Sequence, residues 1–282
     1  MVPPPHVRVM HRGDIPDALA LTATEHWGYT AEDFERLRAL EPEGCLLLEY
    51  DRRTLAIATA TTYGPVAWMG AVVVHPEWRG KGAGRQLLEG MLAFCDSRGI
   101  RSARLNSYPS VVPFYEKLGF RRETENARYT ASGVLGFSGG RARRAEDLGA
   151  LADFDARFFG ASRRKLLDRL ATEPGGFVLA VERGDRVLGY VAGTVSAGWC
   201  EIGPWVVEPG EPVAAATLLE EALGLEGVTS AGLTVPLVNH PAVEAVEAAG
   251  FREAFRTVRM TRGDPAAEDP RGLWALGGLE KG

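Results

Sequence analysis

The stretch from Val72 to Leu88 constrains the fold most, because it reads as a strand that passes through a glycine-rich turn into a helix. Glycines at alternate positions let a backbone take left-handed conformations and approach an anion closely. The first amides of a helix lack acceptors within the helix, and the helix dipole adds positive charge behind them. The stretch therefore predicts a phosphate-binding turn. Its residues are Arg79, Gly80, Lys81, Gly82, Ala83, Gly84 and Arg85.

The order of glycines in this turn differs from that of two common nucleotide-binding loops. The turn lacks the closing Gly-Lys-Ser/Thr of a nucleoside triphosphate loop, and its glycines are not spaced as in the dinucleotide fingerprint. Arg79, Gly82 and Gly84 instead resemble motif A of the GNAT superfamily of N-acetyltransferases, Arg/Gln-x-x-Gly-x-Gly/Ala. The resemblance implies that the turn wraps the pyrophosphate of acetyl-coenzyme A and that the preceding strand edge hydrogen-bonds to the pantetheine arm. That edge is formed by the backbone of Val72, Val73 and Val74.

A second run, Phe114–Phe120, resembles the other half of the GNAT signature. The resemblance implies that Tyr115 is the general acid that protonates the leaving thiolate. The pattern around it predicts a helix that begins with Ser110 as N-cap, tolerates Pro113 in its first turn and ends at Gly119. The alternative is that Tyr115 is only a core aromatic on a short helix.

One position departs from the family pattern. GNAT proteins often place Asn seven residues before the tyrosine, and this chain has Tyr108 there. The run Asn106–Pro109 instead resembles a variant in a bacterial subgroup of two-domain GNAT proteins.

The chain repeats itself once, at an offset of 131 to 133 residues. The repeat predicts two domains, residues 1–134 and 140–282, joined by the glycine- and serine-rich segment Ser132–Gly140. Apolar residues in that junction suggest a strand or a docked segment; they are Val134, Leu135 and Phe137. The matched pairs include Trp27-Gly28 with Phe159-Gly160, Val74-His75-Pro76 with Val207-Glu208-Pro209, and Gly119-Phe120 with Gly250-Phe251.

The second copy has lost the features that would bind coenzyme. Its turn, residues 210–217, has no alternating glycines and no Arg or Lys. Glu211 would face a phosphate with like charge, and Pro212 has no amide to donate. Val246 stands where the first copy has Tyr115. Asn239 occupies the family's Asn position but cannot restore binding alone, so we expect coenzyme only in the first domain.

The order of elements predicts a mixed α/β fold class. Each copy reads as helix, helix, two or three strands, helix, strand, helix, strand, which indicates a central mixed, mostly antiparallel sheet flanked by helices. In the first copy the predicted elements are helices Asp14–Thr22 and Ala31–Leu40, with Thr30 as N-cap of the latter, a hairpin of Cys45–Tyr50 and Leu55–Thr61, and a strand Ala67–His75.

The segment between the first two helices lies where GNAT proteins shape the acceptor pocket. By that resemblance His26, Trp27 and Tyr29 are candidate substrate residues. The alternative for Trp27 is a core or interdomain anchor, since Phe159 matches it in the second copy.

The sequence does not identify the general base. Glu25, His26, Glu49 and His75 are candidates, but each also fits a solvated or capping role. Cys45 is a weaker candidate, as an acyl-accepting nucleophile.

Composition narrows the class of protein. A net charge of -5 and a pI near 5.7 argue against nucleic acid or an anionic membrane as the main partner. The three cysteines are scattered, which predicts neither disulfides nor a metal site. No leader-like start and no apolar run of membrane length is present, so the cytoplasm is expected.

Two function classes remain on the sequence. The favoured one is an acyltransferase that passes an acetyl group from acetyl-CoA to a primary amine of a small-molecule or amino-acid-like acceptor, as a monomer or homodimer. The alternative is a non-catalytic acyl-CoA-binding or interaction protein. An intact turn together with Tyr115 favours catalysis.

Overall fold

The structure is a computed structural model that describes residues 4–133, 142–265 and 267–282. The chain divides into two compact units. The first comprises Met1–Leu105 and Lys281, and the second Asn106–Glu280 and Gly282. Most of the predicted junction, including Val134, Leu135 and Phe137, lies outside the described residues.

The first unit is an α/β layer, as predicted. Its strands follow the order β1-β2-β3-β4-β5, and neighbours are antiparallel except β4 and β5, which are parallel. Its elements are β1 His6–Val9, α1 Ile15–Ala23, α2 Ala31–Leu40, β2 Cys45–Tyr50, β3 Arg53–Tyr63, β4 Val66–Val74, α3 Ala83–Ser97 and β5 Ser102–Ser107, of which the part to Leu105 belongs to this unit.

Local sequence signals explain two of these elements. The Thr30 hydroxyl accepts from the Asp33 amide at 3.3 Å, and the Asp33 carboxylate accepts from the Thr30 amide at 2.9 Å. This capping box starts α2 at the predicted residue. Asp51 and Arg52 both have positive φ, 49° and 60°, which suits the tight turn that joins β2 to β3.

Helix α3 packs its apolar stripe on the sheet of the first unit. Its buried residues recur at helical spacing. Gly90 allows close packing, because a Cβ there would lie 2.9 Å from Cγ1 of Val7 on β1. The buried stripe consists of Ala83, Leu87, Leu88, Met91, Leu92 and Cys95.

The second unit has the same kind of architecture. Its strand order is β12-β6-β11-β10-β9-β8-β7, and β13 pairs with β10. Its elements are α4 Val112–Glu116, β6 Arg121–Ser132, β7 Arg143–Arg144, α5 Leu148–Phe159, α6 Arg164–Thr172, β8 Gly176–Arg183, β9 Arg186–Ser196, β10 Trp199–Val207, α7 Pro212–Leu223, β11 Ser230–Pro236, α8 His240–Ala248, β12 Arg252–Gly263 and β13 Leu273–Ala275.

Strand β6 lies between β11 and β12, although the repeat assigns it to the first copy. Tyr129 of β6 pairs with Leu233 on one side and with Glu253 on the other. The compact units therefore differ from the sequence domains, 1–134 and 140–282, at α4 and β6. Those domain bounds follow the repeat and stay a prediction.

The predicted start of α4 is wrong. The helix begins at Val112, after Val111, and no side chain caps it. The residue three positions after Ser110 is Pro113, which has no amide for a Ser110 hydroxyl to accept from. The predicted end at Gly119 is three residues too late, because the helix ends at Glu116 and the chain then turns through Gly119, which has φ +87°.

Candidate active site

The turn after β4 has the geometry of an anion site. A single 3-10 turn, Pro76–Trp78, follows the strand, and α3 then begins at Ala83. Gly80 and Gly82 have φ of +71° and +89°, a left-handed region that L side chains rarely adopt. A Cβ on either glycine would meet no atom within 4 Å, so this face of the turn is open.

Backbone amides converge at this turn without partners. The Lys81 amide donates to the Trp78 carbonyl, and the helix ladder begins with the Gln86 amide donating to Gly82 at 3.0 Å. Within the described ranges, the amides of Gly80 and of every residue from Gly82 to Arg85 have no hydrogen-bond partner. Free amides at a helix N-terminus are donors for phosphate.

The three cations of the turn differ in what they contact. Lys81 has no carboxylate partner in the described part of the chain, and its Nζ lies 5.6 Å from the Trp78 ring. Arg85 pairs with Glu89 at 2.8 Å, and both side chains are exposed, so this pair contributes little. The Arg79 side chain donates to the Val74 carbonyl and to the side chains of Thr24 and Glu25.

Strand β4 has an open edge next to this turn. Its parallel ladder with β5 ends at Met69 and Leu105. The antiparallel ladder with β3 continues, with Val73 opposite Ile57. Since the His75 amide donates to the Leu55 carbonyl of β3, alternation directs the Val73 backbone toward β3 as well. The open edge is therefore presented by Val72 and by the amide of Val74, since the Val74 carbonyl accepts from Arg79.

A β-bulge that the sequence did not predict bends β4 at this edge. The register with β3 shifts between Ile57 and Thr59, and Ala71 on β4 has φ +47°. A non-glycine residue with positive φ is uncommon and points to a locally imposed conformation. The neighbouring Gly70 is the only sequence signal for the bulge.

The acceptor segment begins at the C-terminal end of α1. The Trp27 amide donates to Thr22 and the His26 amide to Ala23, the bond pair of a Schellman motif, and His26 takes the left-handed position with φ +57°. A cleft of about 330 Å³ lies here. It is lined by Leu19, Thr22, Ala23, His26, Gly28 and Tyr29.

The two aromatic candidates in this segment also pack on the core of the first unit. Trp27 and Tyr29 are half-buried against the cluster that includes Phe34 and Val73. The Tyr29 ring lies 5.3 Å from Phe34 and 6.3 Å from Trp27. Trp27 is not among the residues that line the cleft, which favours the core-anchor alternative for it.

Three of the four candidate bases accept hydrogen bonds from other groups of the chain. Glu25 accepts from Arg79, Glu49 accepts from Arg8 at 2.8 Å, and Nδ1 of His75 accepts from the Glu77 amide at 3.3 Å. His26 is exposed, and its ring has no hydrogen-bond partner among the residues described. Cys45 is buried, and burial raises the pKa of its thiol to about 12, which opposes a nucleophilic role.

Tyr115 lies on α4 in the second unit. It is 6% exposed and packs edge-on against Phe114 and Phe120, with ring centroids 5.3 and 5.8 Å away. Burial raises the pKa of its phenol. The raised pKa keeps the phenol protonated in the neutral range, and its hydroxyl has no hydrogen-bond partner in the described part of the chain.

Comparison with known proteins identifies the chain. The profile of the acetyltransferase (GNAT) family matches residues 16–120, and that of an acetyltransferase (GNAT) domain matches residues 151–275. The chain belongs to the GNAT family. It is a tandem GNAT N-acetyltransferase, as the sequence motifs predicted.

Several relatives extend over nearly the whole chain. The holothin acyltransferase of Pseudoalteromonas sp. is 26% identical over 92% of this chain and 88% of its own length. A solved structure from Pyrococcus horikoshii, assigned to the acetyltransferases, has a TM-score of 0.85 at 21% identity, covering 99% of this chain and 96% of that one. A tandem GNAT protein from the clavulanic acid biosynthesis pathway has a TM-score of 0.63 at 16% identity, covering 93% and 99%. At these identities the structures show the fold alone.

The second GNAT domain repeats the strand geometry of the first, but the edge that is open in the first domain is paired with another strand in the second. The parallel ladder of β10 with β11 ends at Ile202 and Leu233, and a bulge follows before Trp205. Beyond the bulge, β13 pairs with β10, placing Ala275 opposite Trp205. At the repeat offset these β10 positions match the open edge of β4, so in the second domain the chain's own strand pairs with the edge that β4 leaves open.

Asn239 holds this filling strand. Its side-chain amide donates to the carbonyls of Leu273 at 2.9 Å and Arg271 at 3.2 Å, and its oxygen accepts from the Ala242 amide. The residue at the family's Asn position therefore binds β13. Sequence reasoning missed this role, and Trp274-Ala275 was the only nearby signal.

The turn of the second GNAT domain is closed as well. The Glu211 amide bonds back to the Glu208 carbonyl, and α7 begins with Pro212, which lacks an amide. The carboxylates of Glu208 and Glu211 remain at the turn, paired with Arg157 and Arg183.

The described residues contain no group of three or more His, Cys, Asp or Glu placed to hold a metal ion. None of their helices combines the length and hydropathy needed to cross a membrane.

Proposed function

We propose that this N-acetyltransferase moves the acetyl group of acetyl-CoA directly to a primary amine of a small-molecule or amino-acid-like acceptor. The observation that carries the proposal is the cluster of amides at Gly80 and Gly82–Arg85 that have no partner among the described residues, beside the Lys81 ammonium, which has no carboxylate partner there. Such a cluster suits the diphosphate of a coenzyme. The open edge at Val72 and Val74 supports placing the pantetheine arm along β4.

The chemistry assigns a role to each group. The amine nitrogen bonds to the thioester carbon, the carbon–sulfur bond breaks, and the electron pair leaves on sulfur. Backbone amides on the open edge of β4 would stabilise the carbonyl oxygen as it gains charge. We propose that Tyr115 protonates the thiolate.

The cleft beside α1 is the proposed acceptor site. Its volume of about 330 Å³ suits a small molecule. His26 is the free polar group on its wall and would take the proton that the amine loses. His26→Gln is then expected to lower turnover without weakening coenzyme binding.

Only one coenzyme site per chain is proposed, because β13 fills the matching edge of the second domain. We propose that the enzyme works in the cytoplasm, as a monomer or homodimer.

An acetylation screen tests the function. Purified protein and acetyl-CoA would be incubated with amines, amino acids, polyamines, aminoglycosides and holothin, the last because a relative is named for it. Coenzyme A release and product mass would be followed. We expect an N-acetyl product with at least one small amine. Acetyl-CoA that binds yet is never consumed above the buffer rate would contradict the proposal.

A further inference from the structure

The Arg79 side chain joins the coenzyme turn to the acceptor segment. Its Nε donates to the carbonyl of Val74 at 3.0 Å, at the end of β4. Its Nη2 donates to Glu25 at 2.5 Å and to the Thr24 hydroxyl at 3.4 Å, at the end of α1. Glu25 is two residues before Trp27, so this guanidinium spans both proposed substrate sites.

One side of the same guanidinium is still available. An arginine has five N–H donors in a planar fork, and Nη1 carries two of them. Over the described residues, Nη1 of Arg79 has no hydrogen-bond partner. The side chain is 47% exposed, so a bound diphosphate oxygen can reach Nη1 without displacing Glu25.

The strength of the existing contact depends on what else is bound. Glu25 is 31% exposed, and an ion pair in water holds two elements together only weakly. A diphosphate on the other side of Arg79 would fix the guanidinium and exclude water from it. The Glu25 contact, and with it the turn at His26, would then become more ordered.

We propose that Glu25 is a positioning residue, which through Arg79 couples coenzyme binding to the order of the acceptor segment, Glu25–Tyr29. This rests on the proposed coenzyme site at Arg79–Arg85. Because coupling between two binding sites is reciprocal, the acceptor should also raise the affinity for coenzyme.

Hydrogen–deuterium exchange with coenzyme A as the probe tests the coupling. In the unsubstituted chain, coenzyme A should slow amide exchange both at the turn, Gly80–Arg85, and across the acceptor segment. In Glu25→Gln the turn should still be protected while the acceptor segment is not. Coenzyme affinity should stay within about threefold or tighten, because a negative charge near the diphosphate has been removed.

Glu89→Gln is the matched control. It also removes a carboxylate beside the turn, by breaking the Arg85 pair, but leaves Thr24 and Glu25 untouched. We expect this variant to keep the protection of both regions. Arg79→Lys, which cannot bridge two anions with a planar fork, should lose the protection of the acceptor segment.

The outcomes separate the two proposals. Protection of the turn without protection of the acceptor segment in the unsubstituted chain would refute the coupling and leave the coenzyme site standing. Protection that survives in Glu25→Gln, or that is lost equally in Glu89→Gln, would also refute it. No protection at the turn would instead refute the proposed function.

Discussion

At the residue scale, the packing around Tyr115 determines its protonation state in the proposed role of proton donor. Phe114 and Phe120 surround the ring, and burial raises the pKa of the phenol. A raised pKa keeps the proton on a tyrosine throughout the neutral range, so deprotonation of Tyr115 should not reduce turnover as the pH rises toward about 10. The sequence motif predicted the identity of the residue, whereas its burial depends on packing that is not local in sequence.

Tyr115→Phe should therefore lower kcat by roughly 10²-fold while leaving the coenzyme affinity unchanged, because the proton is needed only as the carbon–sulfur bond breaks. Steady-state kinetics with an acceptor found in the screen, together with calorimetry, measures both. Tyr129→Phe is the control, since the Tyr129 hydroxyl bonds Glu247 and has no proposed part in the reaction. If Tyr115→Phe turns over at the wild-type rate when chemistry is limiting, Tyr115 is not the general acid and only packs in the core.

At the element scale, the short strand β13 explains why β10 of the second domain lacks the open edge that β4 has in the first. The sequence predicted the loss of the phosphate turn, because that turn depends on glycines and charged residues that can be identified from the sequence directly. It could not predict β13, since the three residues Leu273–Ala275 are too short for a periodic pattern. The bulge at Ala71 was missed for a related reason. A positive φ at an alanine cannot be recognised from the residue type, because alanine rarely adopts that conformation.

Asn239→Ser tests the anchoring of β13. A serine can still accept from the Ala242 amide and cap α8, but its single hydroxyl proton, on a shorter side chain, cannot replace the two N–H donors that Asn239 gives to the carbonyls of Leu273 and Arg271. Leaving buried carbonyls without donors should lower the free energy of unfolding by about 1–3 kcal/mol. Urea denaturation measures the change, and coenzyme affinity at the first site should not move. An unchanged unfolding midpoint would show that β13 does not depend on Asn239.

A buried polar network in the second unit gives a pH-dependent contribution to stability. Tyr190 donates to Asp155 at 2.6 Å, and Arg163 also pairs with Asp155 at 2.6 Å. The pKa of Tyr190 is raised, first by burial and then by the Asp155 charge. The folded state thus favours the protonated phenol. The contribution of Tyr190 to the free energy of unfolding is therefore fully present below the unfolded pKa of about 10 and is lost as the pH rises above that value.

Thermal melts between pH 8 and about pH 11 check this. The melting temperature should fall at the alkaline end, and Tyr190→Phe should make that fall shallower because one raised phenol is removed. An equally steep fall in Tyr190→Phe would assign the alkaline loss to other groups.

At the scale of the whole molecule, two GNAT copies share one chain, and the proposed coenzyme site lies in the first. The repeat predicted both copies, and the changed turn of the second predicts that it binds no coenzyme. It did not predict that β6 lies between β11 and β12, because strand pairing between distant segments is set by packing and not by local pattern. We propose that the free amides at Gly80 and Gly82–Arg85 provide the one coenzyme site of the chain.

Calorimetric titration of acetyl-CoA into the full chain tests this claim most directly, with Gly82→Val/Gly84→Val as the altered protein. Gly99→Val is the control, because Gly99 also has positive φ, +66°, but lies at the other end of α3. We expect one molecule to bind per chain, binding to be abolished in the double variant and binding to be retained in Gly99→Val. Two equivalent molecules per chain, or undiminished binding in the double variant, would contradict it.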